Sequence, residues 1–218
     1  MSFLDDLRSQ AAGRLQEKTV DVSRLQASLQ RTDSACNLVW SYVSDLAKQL
    51  NVIEPQGPAL VLDRKAPWPR TKLVGFRADV RRKGLSSTDM FDYITITWRI
   101  VPFDGGVFTG AVSANFPPDL QRIESRLAAG AVKHDRIDVR HPEKKTLQEV
   151  RFEFQTEARG GIHITVDYDA EKLNFRLNCV SSFRTFNTSY PAAKIQHPLL
   201  DEMAKTIVGQ RSSFCLMD

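Results

Sequence analysis

The first quarter of the chain carries a long stripe of apolar and small residues at helical spacing. Its members recur at alternating steps of three and four between Val22 and Ile53, a period near 3.5 residues that continues for more than four heptads. Such a period predicts a long helix with a single apolar side. The members are Val22, Leu25, Leu29, Thr32, Cys36, Val39, Val43, Leu46, Leu50 and Ile53.

Two features set the expected ends of this helix. The β-branched pair Thr19-Val20 is unfavourable in a helix, and Asp21 can accept hydrogen bonds from the free N–H groups of a first turn. We therefore expect a short first helix that ends there, followed by the long one. Pro55 is the first of four prolines in residues 54–70, and proline holds itself and its predecessor in extended conformations. Residues 1–53 are thus predicted to be a helical arm, and residues 54–70 a Pro-rich connection.

Beyond residue 70 the pattern changes to two-residue alternation, which is typical of strands with one buried and one solvated face. A helix from Pro117 to Gly130 interrupts the series, and a last helix covers residues 199–208. Most of the loops between strands have hairpin length, so the strands should pair antiparallel. The seven predicted strands lie near residues 74–80, 94–100, 108–114, 137–139, 150–154, 162–168 and 173–179.

These elements predict an α+β fold. We expect a curved antiparallel sheet or open half-barrel of about seven strands with packed helices, preceded by the N-terminal helical arm. This domain would span residues 71–210, and residues 211–218 would form a tail.

Composition supports a globular protein without disulfide bonds. The chain has 218 residues, of which 42% are hydrophobic and 26% are charged, and it contains three cysteines. That is too few for a disulfide framework. The N-terminus lacks the pattern of a secretory signal, and no apolar window approaches the ~18 residues of a membrane span. We therefore expect a cytoplasmic protein that does not enter a membrane.

The net charge of +4 is concentrated in one segment. Residues 63–83 hold eight cations against Asp63 and Asp79, so the rest of the chain is slightly acidic. Clustered cations beside an aromatic residue suit phosphate contact and base stacking, which makes nucleic acid or another polyanion a candidate partner. The alternatives are a charged edge strand that prevents sheet aggregation and an acidic protein partner. The candidate residues are Arg64, Lys65, Trp68, Arg70, Lys72, Arg77, Arg81, Arg82 and Lys83.

The helical stripe is a candidate for self-association. A heptad pattern predicts a coiled coil between copies of the chain, while the alternative is packing on another helix or on the sheet of the same chain. The pattern alone leaves both open, because periods of 3.5 and 3.6 residues diverge by only ~20° per heptad. The residues proposed for self-association are Val22, Leu25, Leu29, Val39, Val43, Leu46 and Leu50.

No motif points to catalysis, a metal or a cofactor. The sequence lacks phosphate-binding glycine loops, a nucleophile elbow and paired cysteines. Residues 134–143 hold several potential metal ligands, but the interleaved arginines oppose a cation. We therefore expect a non-enzymatic binding or assembly module whose β-domain presents a recognition surface. An enzyme would require scattered polar residues to converge, namely Tyr93, His163, Asp167 and Arg176.

A small-molecule pocket between the sheet and the last helix is a further alternative. Its walls would be apolar, and the same side chains would equally serve as ordinary core. The candidate residues are Trp98, Phe152, Phe154, Phe175 and Met203.

Overall fold

The computed structural model describes the backbone of residues 3–63, 66–85 and 88–214. Side chains are described for Arg14 and within residues 22–63, 68–84 and 89–214. The helices are α1 (Phe3–Ile53), α2 (Pro117–Ala129) and α3 (His197–Ile207), with a short 3-10 turn at Ala192–Lys194. The strands are β1 (Val61–Asp63), β2 (Ala66–Pro67), β3 (Thr71–Leu85), β4 (Thr88–Pro102), β5 (Thr109–Ala114), β6 (His134–Arg140), β7 (Leu147–Gln155), β8 (Ala158–Asp167), β9 (Lys172–Asn178) and β10 (Thr185–Pro191).

Helix α1 is one element of 51 residues, about 77 Å long. The expected break near Thr19-Val20 is absent, and Asp21 lies inside the helix rather than at its start. β-Branched residues cost only about 0.7 kcal/mol or less each in a helix, too little to end it without glycine or proline. The helix ends instead where Glu54 adopts a left-handed conformation, with φ of 45°, directly before Pro55.

Five strands form an antiparallel sheet in the order β10-β9-β8-β4-β3. One face of this sheet is apolar, because alternate residues such as Ile94, Ile96 and Ile164 are fully buried. Its two edges differ in chemistry. The edge strand β3 carries Arg77, Arg81, Arg82 and Lys83, whereas the edge strand β10 carries no charged side chain.

A second antiparallel sheet has three strands in the order β5-β7-β6. Helix α2 lies near it with Ile123 and Leu127 buried, and it ends at Gly130 as predicted. The Pro-rich connection packs on this part of the protein through Leu60 and Leu62, which are at most 3% exposed. Neither sheet is closed, and the predicted α+β class with an open sheet is confirmed.

The hydrophobic core lies between the apolar face of the five-stranded sheet and the helices. Helix α1 packs on β3 and β4, and its Val39, Val43 and Leu50 are buried there. From α3, Leu200 and Met203 complete the same core.

The apolar side chains predicted to wall a small-molecule pocket are all core residues. Each is at most 2% exposed, and they are divided between the two sheets and α3. No described cavity is lined by all of these residues together, so the small-molecule pocket stays a prediction. The residues are Trp98, Phe152, Phe154, Phe175 and Met203.

All seven predicted strands are present, and the structure adds three. Two of the additions are the short strands β1 and β2 within the Pro-rich connection. The third is β10, whose Thr, Asn and Ser content resembles a loop. Nevertheless, Phe186, Thr188 and Tyr190 alternate with Asn187 and Ser189, which is the two-residue period of a strand.

Candidate recognition surface

The solvent side of the five-stranded sheet is a broad polar surface, called here the polar face. It forms because successive side chains of a strand point to opposite sides, so the residues between the buried ones collect on one face. The polar face consists of Arg77, Asp79 and Arg81 from β3; Tyr93, Thr95, Thr97 and Arg99 from β4; Arg159, Gly161, His163, Thr165 and Asp167 from β8; Lys172, Asn174, Arg176 and Asn178 from β9; and Thr185, Asn187 and Ser189 from β10.

Strand register brings three of the four scattered polar residues together. His163 lies directly opposite Arg176, and its ring centroid is 5.1 Å from that of Tyr93. Asp167 does not join them, because it lies at the far end of β8 and accepts a hydrogen bond from the Ala170 N–H at 3.0 Å. The group of Tyr93, His163 and Arg176 therefore lacks the Asp167 carboxylate that would orient His163 as a base.

Two adjoining grooves lie on the polar face. The first, called the Arg176 groove, has a volume of about 600 Å³ and is lined by His163, Thr165, Asn174, Phe175, Arg176, Asn187, Thr188 and Ser189. The second has a volume of about 500 Å³ and is lined by Thr97, Ser125, Ala128, Ala129, Ala131, Arg159, Gly160, Gly161, Arg176, Asn178 and Thr185. Arg176 belongs to both, and neither lining includes a carboxylate.

The glycine pair of β8 shapes the second groove. A Cβ atom on Gly160 would lie 2.4 Å from Nε1 of Trp98, so the indole requires glycine at this position. Gly161 is the neighbouring residue on the polar face, opposite Thr97 and Asn178. Because it has no side chain, the floor of the sheet stays open there.

The arginines of the polar face differ in their partners. Arg99 donates to Glu157 from Nε at 2.7 Å and from Nη2 at 3.1 Å, and this hydrogen bond lowers the pKa of Glu157. Arg159 and Arg176 have no ion pair among the described side chains. Arg176 therefore gives both grooves a positive charge that no described carboxylate pairs with, whereas the charge of Arg159 also interacts with Glu157 and helps to lower its pKa.

In the first part of the basic segment, the described side chains have contacts within the chain. Arg64 and Lys65 lie outside the described residues. Trp68 is half-buried, stacked on Phe154 at 5.5 Å between ring centroids, so its ring serves packing. The predicted binding residues Arg70 and Lys72 have partners within the chain, since Arg70 lies over the Phe103 ring and Lys72 pairs with Glu54.

The second part of the segment divides between the two sides of the sheet. Arg77 is exposed on the polar face, and Arg81 lies there opposite Tyr93. Lys83 and Arg81 share the partner Asp92. Arg82 points to the other side, with its guanidinium carbon 4.2 Å from the centroid of the buried Phe91 ring.

The helical stripe also divides in two. Val39, Val43 and Leu50 are at most 4% exposed in the core of their own chain, and Leu46 is half-buried. Leu29 is half-buried as well, whereas Val22 is 55% exposed and Leu25 is 61% exposed. Of the residues proposed for self-association, Val22 and Leu25 are exposed, and Leu29 and Leu46 are accessible in part.

Reactive or metal-binding groups are not assembled elsewhere in the described residues. These residues contain no group of three or more His, Cys, Asp or Glu side chains that could hold a metal ion. Burial raises the pKa of Cys36 and of Cys179 to about 12, so both thiols are protonated near neutral pH. No helix within the described ranges is long and apolar enough to cross a membrane.

No protein-family model, no curated protein and no solved structure matches this chain. Any function must therefore be argued from the geometry of the chain itself.

Proposed function

We propose that this protein is a non-enzymatic binding and assembly module, which associates with itself through the N-terminal part of α1 and presents the polar face for recognition. The observation that carries the proposal is the exposure of Val22 and Leu25 on a stripe whose members from Thr32 to Leu50 are buried, with Leu46 half-buried.

The exposed part of α1 lacks the packing that normally stabilises a helix. All six residues from 22 to 27 are exposed, and the first fully buried side chain described on α1 is Thr32. Most helical stability in proteins comes from packing an apolar side against other elements. The same stripe on a second copy supplies that packing, since apolar residues at a 3.5-residue period interlock between two helices.

Sedimentation equilibrium of the full chain tests the assembly. We expect an oligomer for the natural sequence and a monomer for the double variant Val22→Glu with Leu25→Glu, which places charges on the stripe. Arg24→Glu is the matched control, because Arg24 is exposed in the same turns but lies off the stripe, and its net charge change equals that of the double variant. A monomeric natural chain, or equal dissociation by the control, contradicts the proposal.

A second candidate function is polyanion binding by the basic segment together with the polar face. The observation that favours it is the charge of that face, which carries five arginines and Lys172 against Asp79 and Asp167. Arg77 and Arg81 of the basic segment belong to this surface. A polyanion lying across the strands could contact cations from both β3 and β9.

A mobility-shift titration with single- and double-stranded DNA and RNA at low salt tests this candidate. We expect binding that weakens steeply with salt and that Arg81→Gln reduces. Arg82→Gln removes the same charge from the adjacent position, but Arg82 lies over Phe91 on the other side of the sheet. If nothing binds, or if both variants weaken binding equally, polyanion binding through the polar face is wrong.

A further inference from the structure

Arg176 occupies the middle of an array of hydrogen-bond donors. Its cross-strand neighbours are His163 on β8 and Asn187 on β10. Directly opposed residues on one face have Cβ atoms about 5 Å apart, so their polar groups reach a common point above the sheet. Asn174 and Ser189, the next pair along the same two strands, lie in the same groove.

The charge of this groove is not balanced by the described residues. Its lining has no carboxylate, and Arg176 has no ion pair among the described side chains, unlike Arg31, Arg99 and Arg136. A guanidinium presents its N–H groups as a planar fork that matches carboxylate and phosphate oxygens. An exposed, unpaired arginine surrounded by neutral donors is therefore suited to bind an anion.

The geometry points to a phosphate group carried by a ligand of small-molecule size, with Arg176 and His163 holding the phosphate in the Arg176 groove. This inference rests on the proposed role of the polar face as a recognition surface, and it names the ligand class. Donors approach the groove from three strands: His163 from β8, Arg176 from β9 and Asn187 from β10. A tetrahedral phosphate offers acceptor oxygens in several directions, whereas a planar carboxylate offers two in one plane.

The second groove accommodates the remainder of the ligand. It adjoins the first through Arg176, and its floor is open at Gly161. Its lining also includes Ala128 and Ala129 at the end of α2 and the cation Arg159. Hydrogen-bond donors from three strands meet in the first groove, so the phosphate is placed on the His163 side and the rest of the ligand extends over Gly161. The grooves of about 600 and 500 Å³ fall within the usual range of small-ligand sites.

Calorimetric titration of the full chain at about 0.15 M salt tests the site with three probes: inorganic phosphate, adenosine 5′-monophosphate and a ten-nucleotide thymidine oligonucleotide. We expect the monophosphate to bind more tightly than inorganic phosphate, since it also fills the second groove. Arg176→Gln should weaken both about tenfold, the effect of losing a charged hydrogen-bond pair.

Lys48→Gln is the matched control. Lys48 is an exposed cation on α1, outside the polar face and outside the lining of both grooves. The variant removes the same charge and should change the affinity by less than about twofold. Equal weakening by both variants would assign the binding to general electrostatics and overturn the site.

The remaining outcomes separate the sources of phosphate. Absence of binding by both small probes overturns the inference, even if the oligonucleotide binds, because the phosphate then belongs to a nucleic-acid backbone. Sedimentation of Arg176→Gln should match that of the natural chain, and circular dichroism should confirm an unchanged fold. If phosphate binding in the groove fails, the proposed assembly through α1 is unaffected. If only the assembly fails, the proposed phosphate site is unaffected.

Discussion

The two halves of the α1 stripe share one sequence pattern and have different surroundings. From Cys36 to Leu50 the stripe lies on the sheet, with Val39 and Val43 fully buried. From Val22 to Leu29 the same spacing continues on a helix that the described residues leave uncovered. A period near 3.5 residues therefore identifies which side of a helix needs a partner, but it does not say whether the partner is in the same chain.

The boundary between the halves lies at the turn between β8 and β9. There Arg31 donates hydrogen bonds to Glu171, with the shortest N–O distance 3.1 Å. Thr32 is the next residue and is fully buried. Four substitutions test how sharply the halves differ: one in each half, one where the buried half ends and one at the boundary.

The largest effect is expected inside the buried half. Val43→Asp places a carboxylate in the core and should lower the free energy of unfolding by about 3 kcal/mol or more. Val22→Asp introduces the same charge on the exposed half and should alter the free energy of unfolding by less than about 0.5 kcal/mol. Urea denaturation at a dilution where the chain is monomeric measures both. Similar losses for the two variants would mean that the halves do not differ.

An intermediate effect is expected where the buried half ends. The Asn51 side-chain amide donates to the Phe76 carbonyl at 2.9 Å, and its oxygen accepts from the Phe76 N–H at 2.7 Å. Asn51→Ala removes both hydrogen bonds and should cost about 1–2 kcal/mol. Asn37→Ala is the control, because Asn37 bonds only to Asp33 within the exposed surface of the same helix. Equal losses in the free energy of unfolding for the two variants would contradict a stabilising role for the Asn51 hydrogen bonds.

The smallest effect is expected at the boundary. Hydrogen bonds from Ser28 and Arg31 lower the pKa of Glu171. A carboxyl group with a lowered folded pKa stabilises the native state above its unfolded pKa, and this contribution is lost as the pH falls through the folded value. Arg31→Gln should raise the pKa of Glu171 toward its ordinary value, as followed by NMR titration, with little change in unfolding at neutral pH because the pair is exposed. An unchanged pKa would show that Arg31 does not bond to Glu171 in solution.

Much of the fold was readable from the sequence because its signals are local. Two-residue alternation predicted strands such as β4 and β9. Pro117 marked the start of α2, and Gly130 marked its end. The continuity of α1 through Thr19-Val20 was misjudged, because propensity differences of a fraction of a kcal/mol do not break a helix. Strand β10 was missed because its polar residues are also those of loops.

The candidate site depends on strand register, which the sequence does not carry. His163 and Arg176 are 13 positions apart along the chain and directly opposite in space. The sequence identifies both as polar residues at separate positions, but only the pairing of β8 with β9 places them next to each other. The basic segment shows the converse, since its cations are neighbours in sequence yet Arg81 and Arg82 point to opposite sides of the sheet.

The unequal edges of the five-stranded sheet limit how copies of the protein could join their strands. The β3 edge carries five cations, Lys72 among them, and Asn51 occupies the backbone groups of Phe76 on that edge, which opposes the addition of another strand. The β10 edge has no charged side chain. Charge therefore disfavours strand addition at β3 more than at β10. If two five-stranded sheets paired through β10, both outer edges would be β3 strands, and further strand-by-strand growth would be disfavoured.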